Sequence, residues 1–106
     1  MKPQRFDYVR AESAAEAVDM LAEAGSDARI MAGGQSLMAV LNMRLAQPGI
    51  LVDISRAEDL KYVRIENGYM SVGAATTQGE VEWREDLIRQ VPLLSQVFPF
   101  ISHFQI

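Results

Sequence analysis

The sequence predicts an α/β (α+β) fold: a small parallel sheet with helices, followed by the start of an antiparallel sheet. Three observations carry this reading. Apolar, strand-like runs at residues 28–32 and 49–55 flank a helix-like stretch, the pattern of a βαβ unit with parallel strands. Residues 61–74 alternate around Asn67 and Gly68, a pair suited to a type I′ hairpin turn. Ahead of both, "ESAAEAVDMLAEAG" repeats its apolar residues at helical spacing.

The elements follow in chain order. The first helix opens on a capping box, with the Ser13 hydroxyl on an early amide and the Glu16 carboxylate reaching back. Ala14, Ala17, Val18, Leu21 and Ala22 mark its buried face, and Gly25 ends it. "ARIMA", residues 28–32, reads as a short buried strand. "SLMAVLNMRL" reads as a short helix with Ser36 near its N-cap, and "GILVDIS", residues 49–55, as a second strand entered by the turn "QPG". The texture then changes to hairpin strands near 61–66 and 69–74. "TQGEVEWREDL" is a helix entered at Thr76 or Thr77. "IRQVPLLSQVFPFI" continues in helix, with Pro92 in a first turn and Pro99 disturbing the end. The closing "ISHFQI" is apolar and could open a strand, so the chain reads as cut rather than finished. A strand edge or apolar surface left open there would favour self-association, or a partner chain.

Composition bounds the function. The 106 residues make one domain's worth of chain, enough for a single core and too short for two, and with 49% hydrophobic and 23% charged residues the chain is globular. A net charge of −4 argues against nucleic acid or an anionic membrane as the main partner. The absence of cysteine excludes disulfides, thiolate metal sites and a cysteine-held iron–sulfur cluster within these residues. The start has no apolar signal region, and no run approaches the ~20 residues that span a bilayer, so a cytoplasmic location is expected.

The stretch "AGGQSL", residues 32–37, interrupts core-like sequence with two glycines. Strand, glycine turn and helix start is an arrangement suited to an anion: glycines allow backbone amides to approach a phosphate closely, and Ser36 adds a hydroxyl. A plain strand-to-helix turn capped by Ser36 is the alternative. The stretch is neither the dinucleotide fingerprint G-x-G-x-x-G nor a P-loop. Asp53 follows at about the spacing of a ribose-binding acid, but without that fingerprint it reads as a loop-capping carboxylate. "GAATT", residues 73–77, is a second strand-to-helix junction of small residues, with Gly73 admitting a close approach. His103, the only histidine, has no partner at a metal or triad spacing and reads as structural. Glu80, Glu82, Glu85 and Asp86 read as a solvated helix face, the six methionines as core filler and Trp83 as a packing anchor. No catalytic residue and no metal site is expected.

The run "ARIMAGGQSLMAVLNMRLAQPGILVDIS", with "FDYVRAESAAEAVDML" before it and "GYMSVGAATTQGEVE" after it, resembles the FAD-binding subunit or domain of the molybdenum hydroxylases, of the xanthine dehydrogenase and carbon monoxide dehydrogenase type. The resemblance covers essentially the whole chain. It implies the N-terminal part of a two-subdomain FAD-binding fold of the vanillyl-alcohol oxidase type, with residues 1–56 as the first subdomain and 57–106 as the beginning of the second. It also implies that Ala32, Gly33, Gly34, Gln35 and Ser36 hold the FAD pyrophosphate, with Ile30 and Met31 leading in and Leu37 following near the cofactor. Gly73, Ala74 and Thr77 are implied as further flavin contacts. Many relatives carry histidine where this chain has Gln35, which can donate and accept but cannot become a cation. Family members continue into an Arg-Asn-x-Gly-Thr-x-Gly-Gly segment, the second loop on the diphosphate, which is not in this sequence. Each charge-assisted donor lost with that loop is worth about 1.5–3 kcal/mol.

The resemblance implies a role within a complex. A molybdopterin-binding large subunit oxidises substrate, iron–sulfur clusters on a small subunit relay electrons to FAD, and the flavin passes them to an external acceptor. The isolated chain is expected to be catalytically silent and to form a homo-oligomer. Two other readings stand beside this one: a truncated, non-catalytic scaffold fragment that folds by self-association and binds no FAD, and a generic nucleotide- or anion-binding module. Yellow protein favours the flavin reading. Colourless protein without a thermal shift in FAD favours the scaffold, and binding of phosphate or ADP without preference for FAD favours the module.

Overall fold

A computed structural model describes residues 1–103. Its first half is built on a three-stranded parallel sheet of order β1-β3-β2, with β1 at Asp7–Arg10, β2 at Ala28–Met31 and β3 at Ile50–Asp53. The central β3 is the apolar strand, with Leu51 and Val52 almost fully buried. β2 is an edge strand, and the expectation of a buried strand fails there: Arg29 and Ile30 are exposed. β1 has no counterpart among the strands read from the sequence. It is short and mostly exposed, and what makes it a strand is its pairing with β3, from Asp7 opposite Ile50 to Arg10 opposite Asp53.

The first helix, α1 (Ala14–Ala24), packs on this sheet through Ala17, Met20, Leu21 and Ala24. Those residues recur at i, i+3, i+4 and i+7, so the helical period holds but the buried face is rotated from the expected one. Val18 is 63% exposed and Ala22 is also exposed. Short alanines mark the direction of a face weakly, and docking against Val52, Ile54 and Ala57 decided the rotation. Ser13 caps the Glu16 amide as expected, but the Glu16 carboxylate passes the cap residue and accepts from the Glu12 amide at 2.8 Å. The Ala14 amide donates instead to Asp59, with both carboxylate oxygens at 3.0 Å. Gly25 closes the helix with φ +63°.

The second half holds the hairpin of β4 (Val63–Glu66) and β5 (Tyr69–Val72). Asn67 and Gly68 both have positive φ, as a type I′ turn requires. The helices α3 (Gln78–Glu82), α4 (Leu87–Gln90) and α5 (Pro92–Val97) follow, with Pro92 in the first turn of α5 and Pro99 in a closing 3₁₀ turn, Phe98–Phe100. Val81, Leu87 and Phe98 form a second core, against which Val63 and Met70 of the hairpin pack; the expectation of a single core fails because the hairpin buries one face on its own helices and not on the parallel sheet.

Thr77 is the N-cap of α3 in a full capping box with Glu80, while the Thr76 hydroxyl bonds the backbone of Tyr62 in both directions at 3.0 Å. The two adjacent threonines therefore divide the work. Replacing Thr77 with alanine is expected to cost about 1 kcal/mol, read as a lower urea midpoint.

Two packing expectations are corrected. Trp83 is 82% exposed and anchors nothing among the described residues, because its position at the C-cap of α3 turns it off the core face. The methionines are only partly core: Met20 and Met70 pack on the two clusters, but Met1, Met38 and Met43 are exposed. In the last stretch, residues 101–103 form no strand, and positions 104–106 lie outside the described residues.

Candidate functional site

The parallel sheet has a carboxyl edge, where ligands of open α/β sheets bind. Met31 ends β2 there, Asp53 ends β3 and Arg10 ends β1. The Ile54 amide donates to the Met31 carbonyl at 2.9 Å and closes the ladder. From that fixed point residues 32–36 leave the sheet and run into α2 (Leu37–Asn42).

Among the described residues, the backbone amides of residues 32–37 donate to no protein acceptor, whereas the Met38 amide already donates to the Gly34 carbonyl at 2.9 Å. Backbone donors in folded chains are nearly always partnered by protein or water, so a run of open amides at a helix start faces something outside the chain. Gly33, Gln35 and Ser36 are exposed, and Gly34 is half-buried with φ +76°. Met31 lies beneath Gly34: its Sδ would stand 3.6 Å from a Cβ placed there. Ser36 occupies the N-cap position but its hydroxyl makes no capping bond, so the capping alternative lacks its defining contact. The hydroxyl is left available beside the open amides.

The sequence-predicted residues fall into separate groups. Ile30 and Met31 end the edge strand, Ala32 to Ser36 form the loop, and Leu37 is the first, half-buried residue of α2. Gly73, Ala74 and Thr77 lie at the junction of β5 and α3, and among the described residues no hydrogen bond joins that junction to the first loop. Its small residues already have local explanations. The Gly73 amide donates to the Tyr62 carbonyl at 2.8 Å and the Ala75 amide to the Leu60 carbonyl at 3.0 Å, so what passes close to Gly73 is the chain itself. Ala74 and Thr77 are exposed, and the Thr77 hydroxyl is engaged with Glu80 at 2.8 Å. Those bonds, from the Thr77 amide first and its hydroxyl next, hold the Glu80 carboxyl below its ordinary range.

Sequence reasoning missed one pair at the carboxyl edge. The Tyr8 hydroxyl donates to the Asp53 carboxylate across strands, from 45 residues away. The Ser55 amide donates to the other carboxylate oxygen at 2.8 Å, so Asp53 caps its loop as expected. Asp53 is buried, at 6% exposure. Burial alone would raise its pKa, but the Tyr8 hydroxyl and the Ser55 amide outweigh it and hold the carboxyl below the usual range. The same hydrogen bond, with burial second, raises the Tyr8 phenol. The only hint in the sequence was the alternation of Phe6, Tyr8 and Arg10 with Asp7 and Val9.

A carboxylate depressed in the folded state contributes stability above its unfolded pKa, and that contribution is lost as pH falls through the folded value. Tyr8→Phe is therefore expected to lower the urea midpoint at neutral pH. Its difference from the parent should shrink as the medium is acidified through the carboxylate range. A gap that stays constant with pH would show that the hydroxyl does not act through Asp53.

Among the described residues no group of histidine, cysteine, aspartate and glutamate could hold a metal ion, and no helix is long and apolar enough to cross a membrane. His103 is exposed. What the loop offers among the described residues is a run of open backbone amides beside one uncapped hydroxyl, donors of the kind an anion can use.

Comparison with known proteins gives the family. Residues 4–106 match the family described as the FAD binding domain in molybdopterin dehydrogenase. Caffeine dehydrogenase subunit beta of Pseudomonas sp. (strain CBB1) is 42% identical over all of this chain and 36% of its own length. The 6-hydroxypseudooxynicotine dehydrogenase complex subunit alpha of Paenarthrobacter nicotinovorans is 41% identical, again over all of this chain and 36% of its own. In the reconstituted CO dehydrogenase from Oligotropha carboxidovorans, one chain superposes with a TM-score of 0.94 at 38% identity, covering 99% of this chain and 37% of that one. The chain thus spans little more than a third of the length of the relatives it matches. With the family matched over nearly its full length, the chain belongs to the FAD-binding domains of the molybdopterin dehydrogenases, and its cofactor is FAD.

Proposed function

We propose that residues 32–37 bind the FAD pyrophosphate in a molybdopterin-dependent dehydrogenase complex. The observation that carries this is the run of open amides from Ala32 to Leu37, set at the carboxyl edge of a parallel sheet beside the free Ser36 hydroxyl. Amides so placed suit a diphosphate because they supply several donors without the desolvation cost of buried cationic side chains. Ile30 and Met31 hold the loop's root, and Leu37 presents an apolar side chain at its exit. The exposed Ala74 and Thr77 make further contact with the flavin, and Gly73, buried against the chain itself, holds their junction in place. Bound FAD supplies the redox chemistry, taking electrons from iron–sulfur clusters on a small subunit and passing them to an external acceptor. A molybdopterin-binding large subunit oxidises the substrate. Names such as "subunit beta" and "complex subunit alpha" among the relatives support a place in an assembly.

The reading extends to architecture. The fold is the first part of a two-subdomain flavin domain of the vanillyl-alcohol oxidase type, with a first subdomain over residues 1–56 and the start of a second over 57–106. The separation of the two cores supports the division, although Ala57 and Leu60 pack with the first core and draw the physical boundary a few residues later.

Titration of the purified chain with FAD, ADP and inorganic phosphate tests the reading. The expected result is saturable FAD binding, with flavin fluorescence changing on binding and ADP competing more weakly. Equal affinity for ADP and FAD would reduce the site to a general diphosphate cradle. No thermal shift with any of the three would favour a scaffold without cofactor.

A further inference from the structure

The open loop is bordered by two thioethers. Met31 ends β2, and Met38 is the second residue of α2. A Cβ built on Gly34 would meet Met38 Cγ at 3.4 Å and Met31 Sδ at 3.6 Å, so the loop residue with positive φ sits between the two side chains. The Met38 amide donates to the Gly34 carbonyl at 2.9 Å, which ties the backbone of this methionine to the glycine its side chain touches.

The six methionines are not equal before an oxidant. Met20, Met31 and Met70 are half-buried, whereas Met1, Met38 and Met43 are exposed. Met1 opens the chain, and Met43 caps the far end of α2. Met38, at 38% exposure, is both accessible and in contact with the loop.

Oxidation changes what that side chain can do. Hydrogen peroxide transfers one oxygen to the thioether sulfur: its O–O bond breaks, the sulfur loses two electrons, and the second oxygen leaves as water. The product is a polar sulfoxide whose oxygen is a hydrogen-bond acceptor, two bonds from the Cγ that faces Gly34. Beside it lie the amides of residues 32–37, which donate to no protein acceptor among the described residues. We infer that Met38 is an oxidative modification site, at which hydrogen peroxide installs an acceptor that takes up the loop's open amides and denies them to an anion. Two thiols reverse the change through a methionine sulfoxide reductase, leaving as a disulfide while the oxygen departs as water. The effect on FAD rests on the proposed role of residues 32–37, but the change in the loop itself is read without cofactor.

The purified chain and its Met38→Leu variant are treated with hydrogen peroxide, and sulfoxides are located by peptide mass spectrometry. Met1, Met38 and Met43 are expected to oxidise in the parent, and Met1 and Met43 in the variant. Without cofactor, hydrogen–deuterium exchange across residues 32–37 should slow at least tenfold in the oxidised parent and stay unchanged in the oxidised variant. The parent's dissociation constant for FAD should rise at least tenfold on oxidation and return after treatment with the reductase and a dithiol. The variant should bind FAD alike before and after peroxide. A Met38 that stays reduced while Met43 is fully oxidised overturns the inference. So does an oxidised parent whose loop exchanges as before, or a variant that loses as much affinity on oxidation as the parent. A parent that binds no FAD before oxidation, yet shows the slowed exchange after it, overturns the flavin reading alone.

Discussion

Gly34→Val is expected to weaken FAD binding by at least tenfold, equivalent to about 1.4 kcal/mol. Gly34 has φ +76°, where a β-branched residue is a genuine outlier and the left-handed conformation costs about 1–2 kcal/mol. A Cβ there would meet Met38 Cγ at 3.4 Å and Met31 Cγ at 3.7 Å, ordinary van der Waals contacts, so the backbone conformation and not space sets the cost. The loop relieves that strain by moving φ to negative values, and the movement turns the amides of Gln35 and Ser36 away from their present direction. Because the same strain lowers stability, the variant needs a partner that separates the two effects. Gly33→Ala is that partner. Its φ is ordinary and its Cβ would meet only Gln35 Cγ, at 3.8 Å. The melting temperature of Gly33→Ala should match the parent, and FAD affinity should still fall, because the methyl group stands where the diphosphate approaches the main chain. Affinity unchanged in Gly33→Ala would place the diphosphate elsewhere.

The largest stability loss is expected at Gly73. An added Cβ would lie far inside van der Waals contact with the Leu60 carbonyl oxygen and 2.7 Å from the Leu60 carbonyl carbon. Both are backbone atoms, so no rotamer change relieves the clash. The segments must separate, and that breaks the bonds from the Gly73 amide to Tyr62 and from the Ala75 amide to Leu60. Overpacking of this kind typically costs about 1–3 kcal/mol, and the lost hydrogen bonds add about 1 kcal/mol each. Gly73→Ala should therefore lower the melting temperature by on the order of 10–20 °C. Gly79→Ala is the control: no atom lies within 4 Å of its Cβ position, and Gly79 is inside α3. There alanine should stabilise, by up to about 1 kcal/mol. A similar loss in both variants would show that the close approach at Gly73 is not what destabilises.

Some of the molecule was legible without coordinates because its cause is local. Asn67-Gly68 dictates a type I′ turn through backbone sterics alone, and the hairpin registers around it as expected. The start of α3 at Thr77, Gly25 at the end of α1 and Pro92 at the start of α5 are likewise settled within a few residues, though Glu80, which closes a capping box with Thr77, reads from the sequence as solvated surface. The candidate loop was legible for the same reason: paired glycines before a short helix have few purposes.

What escaped the sequence depends on partners far along the chain. β1 is a strand because β3 lies beside it, and nothing in "DYVR" compels extension. The Ala14 amide is held by Asp59 and the Asp53 carboxylate by Tyr8, each across 45 residues. The face of α1 was misplaced because alanine scarcely biases a helix's rotation, and Trp83 was misplaced because a helix's rotation on its core decides which large side chain is buried. By itself the sequence determined the order and type of most elements, the turn chemistry, the family and its cofactor, since these follow from short-range sterics and from recognisable local runs. Only the tertiary structure decided that β1 joins β3, which helix faces are covered and which amides remain open, because each of those is settled by surfaces that meet only after the chain has folded.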